Sequence, residues 1–207
     1  MCLIVHKPAG IAIPQALIEA AFELNRDGWG AMGFDGDGQL LLERHATVDP
    51  KAVLDFERRH RDDEYVLHLR RRTRGGGGLE NAHPFRVGPG IYLMHNGTLP
   101  LEAKQPGRSD TWHLVQEILG PLSERHPRLL SDSAFLQLLE LGLKSENKLA
   151  LLNQSSREIA LVNWQHGAEL EGLWLSSTRW IDRARFPLAH APQPQERVYR
   201  PAELRFL

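Results

Sequence analysis

The sequence predicts an α+β protein built on antiparallel sheets. Three observations carry that expectation. Strand-like runs come first, two helical stretches follow, and strands return, instead of the strand–helix alternation of a parallel α/β sheet. Two of the strand-like runs, 31–34 and 39–44, are joined by Asp35-Gly36-Asp37-Gly38, a strong hairpin turn signal. A second hairpin is expected from 148–153 and 158–163.

Taken in order, residues 2–6 (CLIVH) are apolar and β-branched and stop at Lys7-Pro8, so a buried first strand is expected. Pro14 opens a helix with Ala16, Leu17, Ala20, Ala21 and Leu24 at helical spacing. The segment 25–30 ends it. Residues 50–59 read as a short helix with a basic end, which suits the helix dipole. A strand over 64–69 runs into Arg70-Arg71-Arg72-Thr73-Arg74 and four consecutive glycines, 75–78, which favour a mobile loop. A strand over 91–94 precedes His95-Asn96-Gly97. Ser109 and Asp110 are helix-capping types ahead of a helix over about 111–119, and another helix is expected over about 131–141. A strand is expected over 172–176, and an extended, proline-rich tail from about 182. No repeat or linker divides the 207 residues, so one domain, 1–207, is expected.

Composition narrows the function classes. Hydrophobic content of 42% and charged content of 25% suit a soluble globular protein with a real core. A net charge of -1 gives no electrostatic argument for nucleic acid or an anionic membrane as partner. The N-terminal stretch lacks a basic leader, and no apolar run reaches membrane-spanning length, so a cytoplasmic location is expected. The single cysteine suits a reducing compartment. The ten histidines show no His-Glu-x-x-His or paired Cys/His spacing, so no metal is expected. No Gly-Lys-Ser/Thr follows the glycines, so neither a phosphate loop nor any cofactor is expected. The arginine run lacks a stacking platform and fits a local carboxylate site better than nucleic acid.

The lone cysteine is Cys2, directly after Met1. Aminopeptidases remove an initiator methionine ahead of a small residue, and removal leaves a thiol and a free α-amine on one residue. Their reference pKa values, about 8.5 and about 7.7–8.0, lie near neutrality. The amine can therefore act as general base for its own side chain. Position alone favours a small buried hydrophobe opening the first strand; half of a papain-like Cys–His pair is a further reading, which leaves the terminal position unexplained. Asn96-Gly97 is either a turn or an oxyanion hole made of a side-chain NH₂ and a backbone N–H. Asp110 is either a cap or a carboxylate for a ligand ammonium.

Several motifs occur together in one order: Met1-Cys2, Asn25-x-Asp27-Gly28-Trp29-Gly30, His68-x-Arg70-x-x-Thr73, Asn81-Ala82-His83-Pro84-Phe85, His95-Asn96-Gly97 and Ser109-Asp110-Thr111. Over roughly residues 1–120 the chain resembles the class II glutamine amidotransferase domain, an N-terminal-nucleophile hydrolase. The resemblance implies a four-layer α/β/β/α sandwich. It implies Cys2 as nucleophile on the glutamine amide, with Asn96 and Gly97 holding the oxyanion. Arg70 would hold the α-carboxylate and Asp110 the α-ammonium, with Thr73 and His83 in support. Asn25, Asp27 and Gly28 would brace the site, and the loop over 71–80 would close as a lid. Arg72 and Arg71 depart from the small and aromatic residues usual in that loop, and either side chain would crowd or alter the pocket. No ammonia-consuming domain is legible, so a stand-alone domain serving a separate synthetase is expected. The alternatives are hydrolysis of another γ-glutamyl or linear amide, and an idle binding or regulatory domain.

Overall fold

The computed structural model describes residues 2–179, 181–182 and 184–186. Strand β1 (Leu3–Lys7) is followed by helix α1 (Gln15–Phe22), the hairpin β2 (Trp29–Phe34) and β3 (Leu40–His45), helix α2 (Pro50–Arg59) and β4 (Glu64–Leu69). Then come β5 (Phe85–Gly88) and β6 (Ile91–Asn96), a helical run, the hairpin β7 (Lys148–Asn153) and β8 (Glu158–Val162), and the short pair β9 (Ala168–Leu170) and β10 (Leu173–Leu175). The strands form two antiparallel sheets, one in the order β3-β2-β4-β1-β10-β9 and one in the order β5-β6-β7-β8.

Strand alternation explains how the sheets stack. Along β1, Leu3 and Val5 pack with Leu17, Ile18 and Phe56 of α1 and α2, whereas Ile4 points the other way. Ile4 meets Met32, Val66 and Trp174 of its own sheet and Met94, Ala150 and Leu152 of the other. This is the apolar layer between the sheets. The outer face of the second sheet, with Leu93, Leu149 and Leu151, packs on the helical run through Val115, Leu119 and Leu136. The result is the α/β/β/α sandwich that the resemblance implied. Met32 and Met94 are fully buried at its centre, and truncating such a side chain to alanine costs about 2–5 kcal/mol.

The helical run departs from expectation in an informative way. Ser109 caps α3 (Asp110–His113), its Oγ accepting from the Trp112 N–H at 3.2 Å. The helix does not stop at Gly120-Pro121. It widens into a π-helical turn over Leu114–Leu119, where the Gly120 N–H reaches the Val115 carbonyl, and continues as α4 (Gly120–Arg125). Proline falls in the first turn of α4, where its missing N–H costs nothing. Helix α5 (Ser133–Gly142) follows, capped by Asp132.

Two short strands, β5 and β9, were not anticipated; neither is long enough to set up a readable alternation. The extended tail expected from about 182 lies, past residue 186, outside the described residues. Before that point the chain turns, with the Arg185 and Phe186 N–H groups donating to the Asp182 carbonyl and Phe186 packed in the α1/α2 core. Among the described residues, no helix is long and apolar enough to cross a membrane.

Candidate active site

The same alternation that points Ile4 between the sheets sends Cys2, Arg70, Asn96 and Ser176 toward one end of that layer. Cys2 precedes Leu3, which pairs with Leu69, so the residue facing Cys2 across the ladder is Arg70. Asn96 is the last residue of β6 and shares its face with Met94. Ser176 follows β10 and shares its face with Trp174.

Cys2 is half-buried, and its Sγ lies 3.4 Å from both the Arg71 amide nitrogen and the Arg71 carbonyl oxygen. Burial pushes the thiol pKa up. The Arg71 N–H and the Arg70 charge oppose that shift, and the Asp110 charge adds to it. A thiol whose pKa is raised in this way needs a base to become a nucleophile.

Arg70 is 3% exposed at the end of β4. Its Nη2 donates to the Gly76 carbonyl at 2.9 Å, while Nη1 is buried without a partner. An unpaired guanidinium nitrogen inside a protein is costly unless something arrives to accept from it. Asp110 sits at the start of α3, its two carboxylate oxygens accepting from the Leu99 and Thr111 N–H groups at 2.7 and 2.9 Å. The charges of the Arg70 cation and the Asp110 anion both reach the thiol.

The glycine stretch between them is anchored and not loose. The Gly76 N–H donates to the Gly107 carbonyl, and Asn81 Nδ2 donates to the carbonyls of Gly76 and Gly107. Asn81 Oδ1 in turn accepts from the Ser109 N–H at 2.8 Å. Gly75 adopts φ +76°, and a Cβ there would come within 2.8 Å of the Ser109 nitrogen. The loop therefore closes on the helix start that carries Asp110.

Asn96 is 1% exposed, and β6 carries it in register with Lys148 of β7, so Asn96-Gly97 is not a hairpin turn. Its Nδ2 donates to Ser176 Oγ at 2.7 Å, and its Oδ1 is buried with no partner. Gly97 has φ +151°, and a Cβ there would meet Asn147 Oδ1 at 2.3 Å. Behind it, His95 bridges Thr111 Oγ1 and Asn147 Oδ1 at 2.8 and 3.0 Å.

The segment 25–28 braces the site from outside. The Arg70 N–H donates to the Gly28 carbonyl, the Asp27 N–H to the Arg70 carbonyl, and the Arg72 N–H to Asp27 Oδ2 at 2.7 Å. Asn25 Nδ2 closes α1 by donating to the Ala21 carbonyl. His83 stacks on His68 with ring centroids 4.0 Å apart, and neither His83 ring nitrogen has a partner. Gly30 makes room for this segment: a Cβ there would lie 2.0 Å from the His83 carbonyl oxygen. Burial pushes His68 down to about 3, and His83 and His95 also fall below the ordinary range, so all three are neutral at pH 7. Thr73 is exposed on the loop and is not drawn into this cluster. The Arg71 and Arg72 side chains are also exposed, so they do not crowd the space at Cys2.

Two residues of the cluster were not singled out from the sequence, Ser176 and Asn81. Asn81 lay inside a quoted motif, but its role appears only once the loop folds back. No local pattern marks Ser176. A separate cleft of about 600 Å³, lined by Trp29, Glu43, His45 and residues of α2, lies on the helix side of the first sheet and contains none of these groups. Among the described residues, no three His, Cys, Asp or Glu side chains converge as a metal-ligand set.

The family model of the class II glutamine amidotransferases matches residues 3–153, and the chain belongs to that family. No curated protein sequence matches it. Among solved structures it is similar to glutamine phosphoribosylpyrophosphate amidotransferase from B. subtilis complexed with ADP and GMP, at 14% identity and a TM-score of 0.49. That similarity covers 87% of this chain and 42% of the other, so this chain spans less than half the length of that relative.

Proposed function

We propose that the protein hydrolyses the side-chain amide of glutamine, with Cys2 as the N-terminal nucleophile once Met1 is removed. The observation that carries the reading is the Arg70 Nη1, buried and unpaired near a half-exposed thiol that also feels the charge of the Asp110 carboxylate. A free amino acid needs one fixed cation for its carboxylate and one fixed anion for its ammonium, and this pair answers both. The α-amine of Cys2 takes the thiol proton as Sγ attacks the amide carbon. Asn96 and the Gly97 N–H stabilise the resulting oxyanion. The tetrahedral intermediate collapses as the amine returns the proton to the leaving nitrogen, giving ammonia and a γ-glutamyl thioester. Water, deprotonated by the same amine, attacks the thioester and releases glutamate and the thiol. His83 supports the bound amino acid, and Asn25, Asp27 and Gly28 brace the segment 70–72. The loop over 71–80 acts as the lid that excludes water. The ammonia passes to an acceptor domain or a partner synthetase, and the protein works in the cytoplasm without a cofactor.

Intact mass and glutamate release test the reading together. Protein lacking Met1 should release glutamate from glutamine, and Cys2→Ala should not. Quantitative retention of Met1 would instead favour an idle binding domain. Processed protein that leaves glutamine intact would favour another γ-glutamyl or linear amide. Glutaminase activity surviving in Cys2→Ala would refute the mechanism.

A further inference from the structure

We propose that Ser176 is a positioning residue that aims the Asn96 amide at the reacting carbonyl; this rests on the reading of Asn96 as an oxyanion donor. Ser176 is 1% exposed, and its Oγ receives two donors, the Ile4 N–H at 2.8 Å and Asn96 Nδ2 at 2.7 Å. A hydroxyl carries one proton of its own to donate. No acceptor for that proton is present among the described residues, while Asn96 Oδ1, one atom away, is buried with no donor. Rotating the Asn96 amide by 180° cancels both deficits. Ser176 then accepts from the Ile4 N–H and donates to Asn96 Oδ1. The Asn96 NH₂, now free, faces the space in which Oδ1 had no partner. That rotated state presents a donor, and not a lone pair, to a developing negative charge.

The position of Ser176 gives it this leverage. The Ser176 N–H donates to the Ile4 carbonyl at 2.9 Å in line with the β1–β10 ladder, but the return bond from the Ile4 N–H goes to the side chain and not to a carbonyl. One hydroxyl therefore joins Ile4, two residues after the nucleophile on the strand that follows it, to the asparagine of the opposite sheet. It fixes the distance between the attacking group and the charge-stabilising one.

The experiment compares Ser176→Ala and Ser176→Thr with the wild-type and Asn96→Ala enzymes, each processed at Met1. Losing one oxyanion donor lowers kcat by about 10²–10³, so a misdirected donor in Ser176→Ala should lower kcat by roughly 10- to 100-fold. Ser176→Thr, which keeps the hydroxyl, should recover most of that loss. Affinity for glutamate γ-semialdehyde, whose aldehyde adds the thiol to form a tetrahedral hemithioacetal, should fall in parallel with kcat, while affinity for glutamate stays near wild type. The rate of Cys2 alkylation by iodoacetamide, which uses no oxyanion donor, should also stay near wild type. Adding Ser176→Ala to Asn96→Ala should cost nothing further, because the two act as a unit. An additive loss, or an alkylation rate that falls with kcat, would overturn the proposal and leave Ser176 as a strand fastener. Wild-type kcat in Ser176→Ala would overturn it as well. A wild-type kcat in Asn96→Ala would instead remove the oxyanion reading beneath it. If Ser176→Ala does not fold, Ser176→Thr decides: kcat far below wild type with normal alkylation contradicts a hydroxyl-based role.

Discussion

Cys2 and Arg71 meet where β1 and β4 run out, the Cys2 Sγ 3.4 Å from both the amide nitrogen and the carbonyl oxygen of Arg71. The thiol is thus held by backbone, at a fixed height above the ladder, and Arg71 contributes no side chain to it. The backbone over 70–72 is itself held by Gly28 and Asp27. A chain of main-chain contacts therefore runs from the 25–28 segment to the sulfur, which explains how a residue so near a chain terminus keeps a defined position.

Arg70→Lys tests the carboxylate clamp. A lysine ammonium is a point charge and cannot both hold the Gly76 carbonyl and bind a carboxylate through a planar fork. Hydrogen bonds to charged groups are worth about 1.5–3 kcal/mol, so KM for glutamine should rise roughly 10- to 100-fold, with a smaller change in kcat. Steady-state glutaminase kinetics read this directly. An unchanged KM would take Arg70 out of substrate binding.

Gly97→Ala should damage both stability and turnover. The residue has φ +151°, and the added Cβ would press into Asn147 Oδ1 at 2.3 Å. Backbone strain of this kind costs on the order of 1–3 kcal/mol. Relief by shifting Asn147 would disturb its contact with His95 and move the end of β6. Urea unfolding should report the loss of stability, and kcat should fall at least tenfold beyond any change in folded fraction. A variant as stable and active as wild type would mean the 96–97 backbone tolerates rearrangement, and its geometry is not what stabilises the oxyanion.

These two residues also mark how far the sequence could be read. The basic run 70–74 was legible as a place for one carboxylate because guanidinium chemistry does not depend on the fold, while the choice of Arg70 within it came from the family resemblance. Asn96-Gly97 was ambiguous between a turn and an oxyanion hole, because an Asn-Gly pair after a strand has the same local signature in both. Only the pairing of β6 with β7, some fifty residues on, decides that it is no hairpin. Ser176 was illegible for a stronger reason. Its role comes from a bond across 172 residues to Ile4 and another across 80 to Asn96, and no local spacing encodes either. The continuation of the helix through Gly120-Pro121 escaped notice because it depends on a π-helical turn that absorbs the missing donor.

The buried histidines predict an acid limit to stability. His68 falls from its ordinary 6.5 to about 3 through burial, and His83 and His95 shift in the same direction. Above pH 6.5 both folded and unfolded chains leave His68 neutral, so it contributes no pH dependence. As pH falls from 6.5 toward 3, the unfolded chain binds a proton that the folded one refuses, and stability drops, by several kcal/mol for a shift of this size. Denaturation midpoints measured between pH 7 and 4 should therefore decline steeply. His68→Gln should flatten that decline, and an identical slope in the variant would show that other groups set it.

Asn81→Ala should loosen the lid without touching the nucleophile. Asn81 is fully buried, and its side chain holds the Gly76 and Gly107 carbonyls and the Ser109 N–H together. Removing it strips a partner from each of three backbone groups, at about 1–3 kcal/mol for any that stays buried and unsatisfied. The loop can avoid that cost by opening to water, taking the Gly76 carbonyl away from Arg70. Arg71, Arg72 and Arg74 lie in the stretch that would be released, so limited trypsin digestion reads the opening directly. Cleavage there should accelerate, glutamine should slow it less than in wild type, and KM should rise, while iodoacetamide should still alkylate Cys2 at close to the wild-type rate. Cleavage and KM both at wild-type values would mean that the glycine loop is held by Gly76 and Arg70 alone, and that Asn81 serves only the packing beneath it.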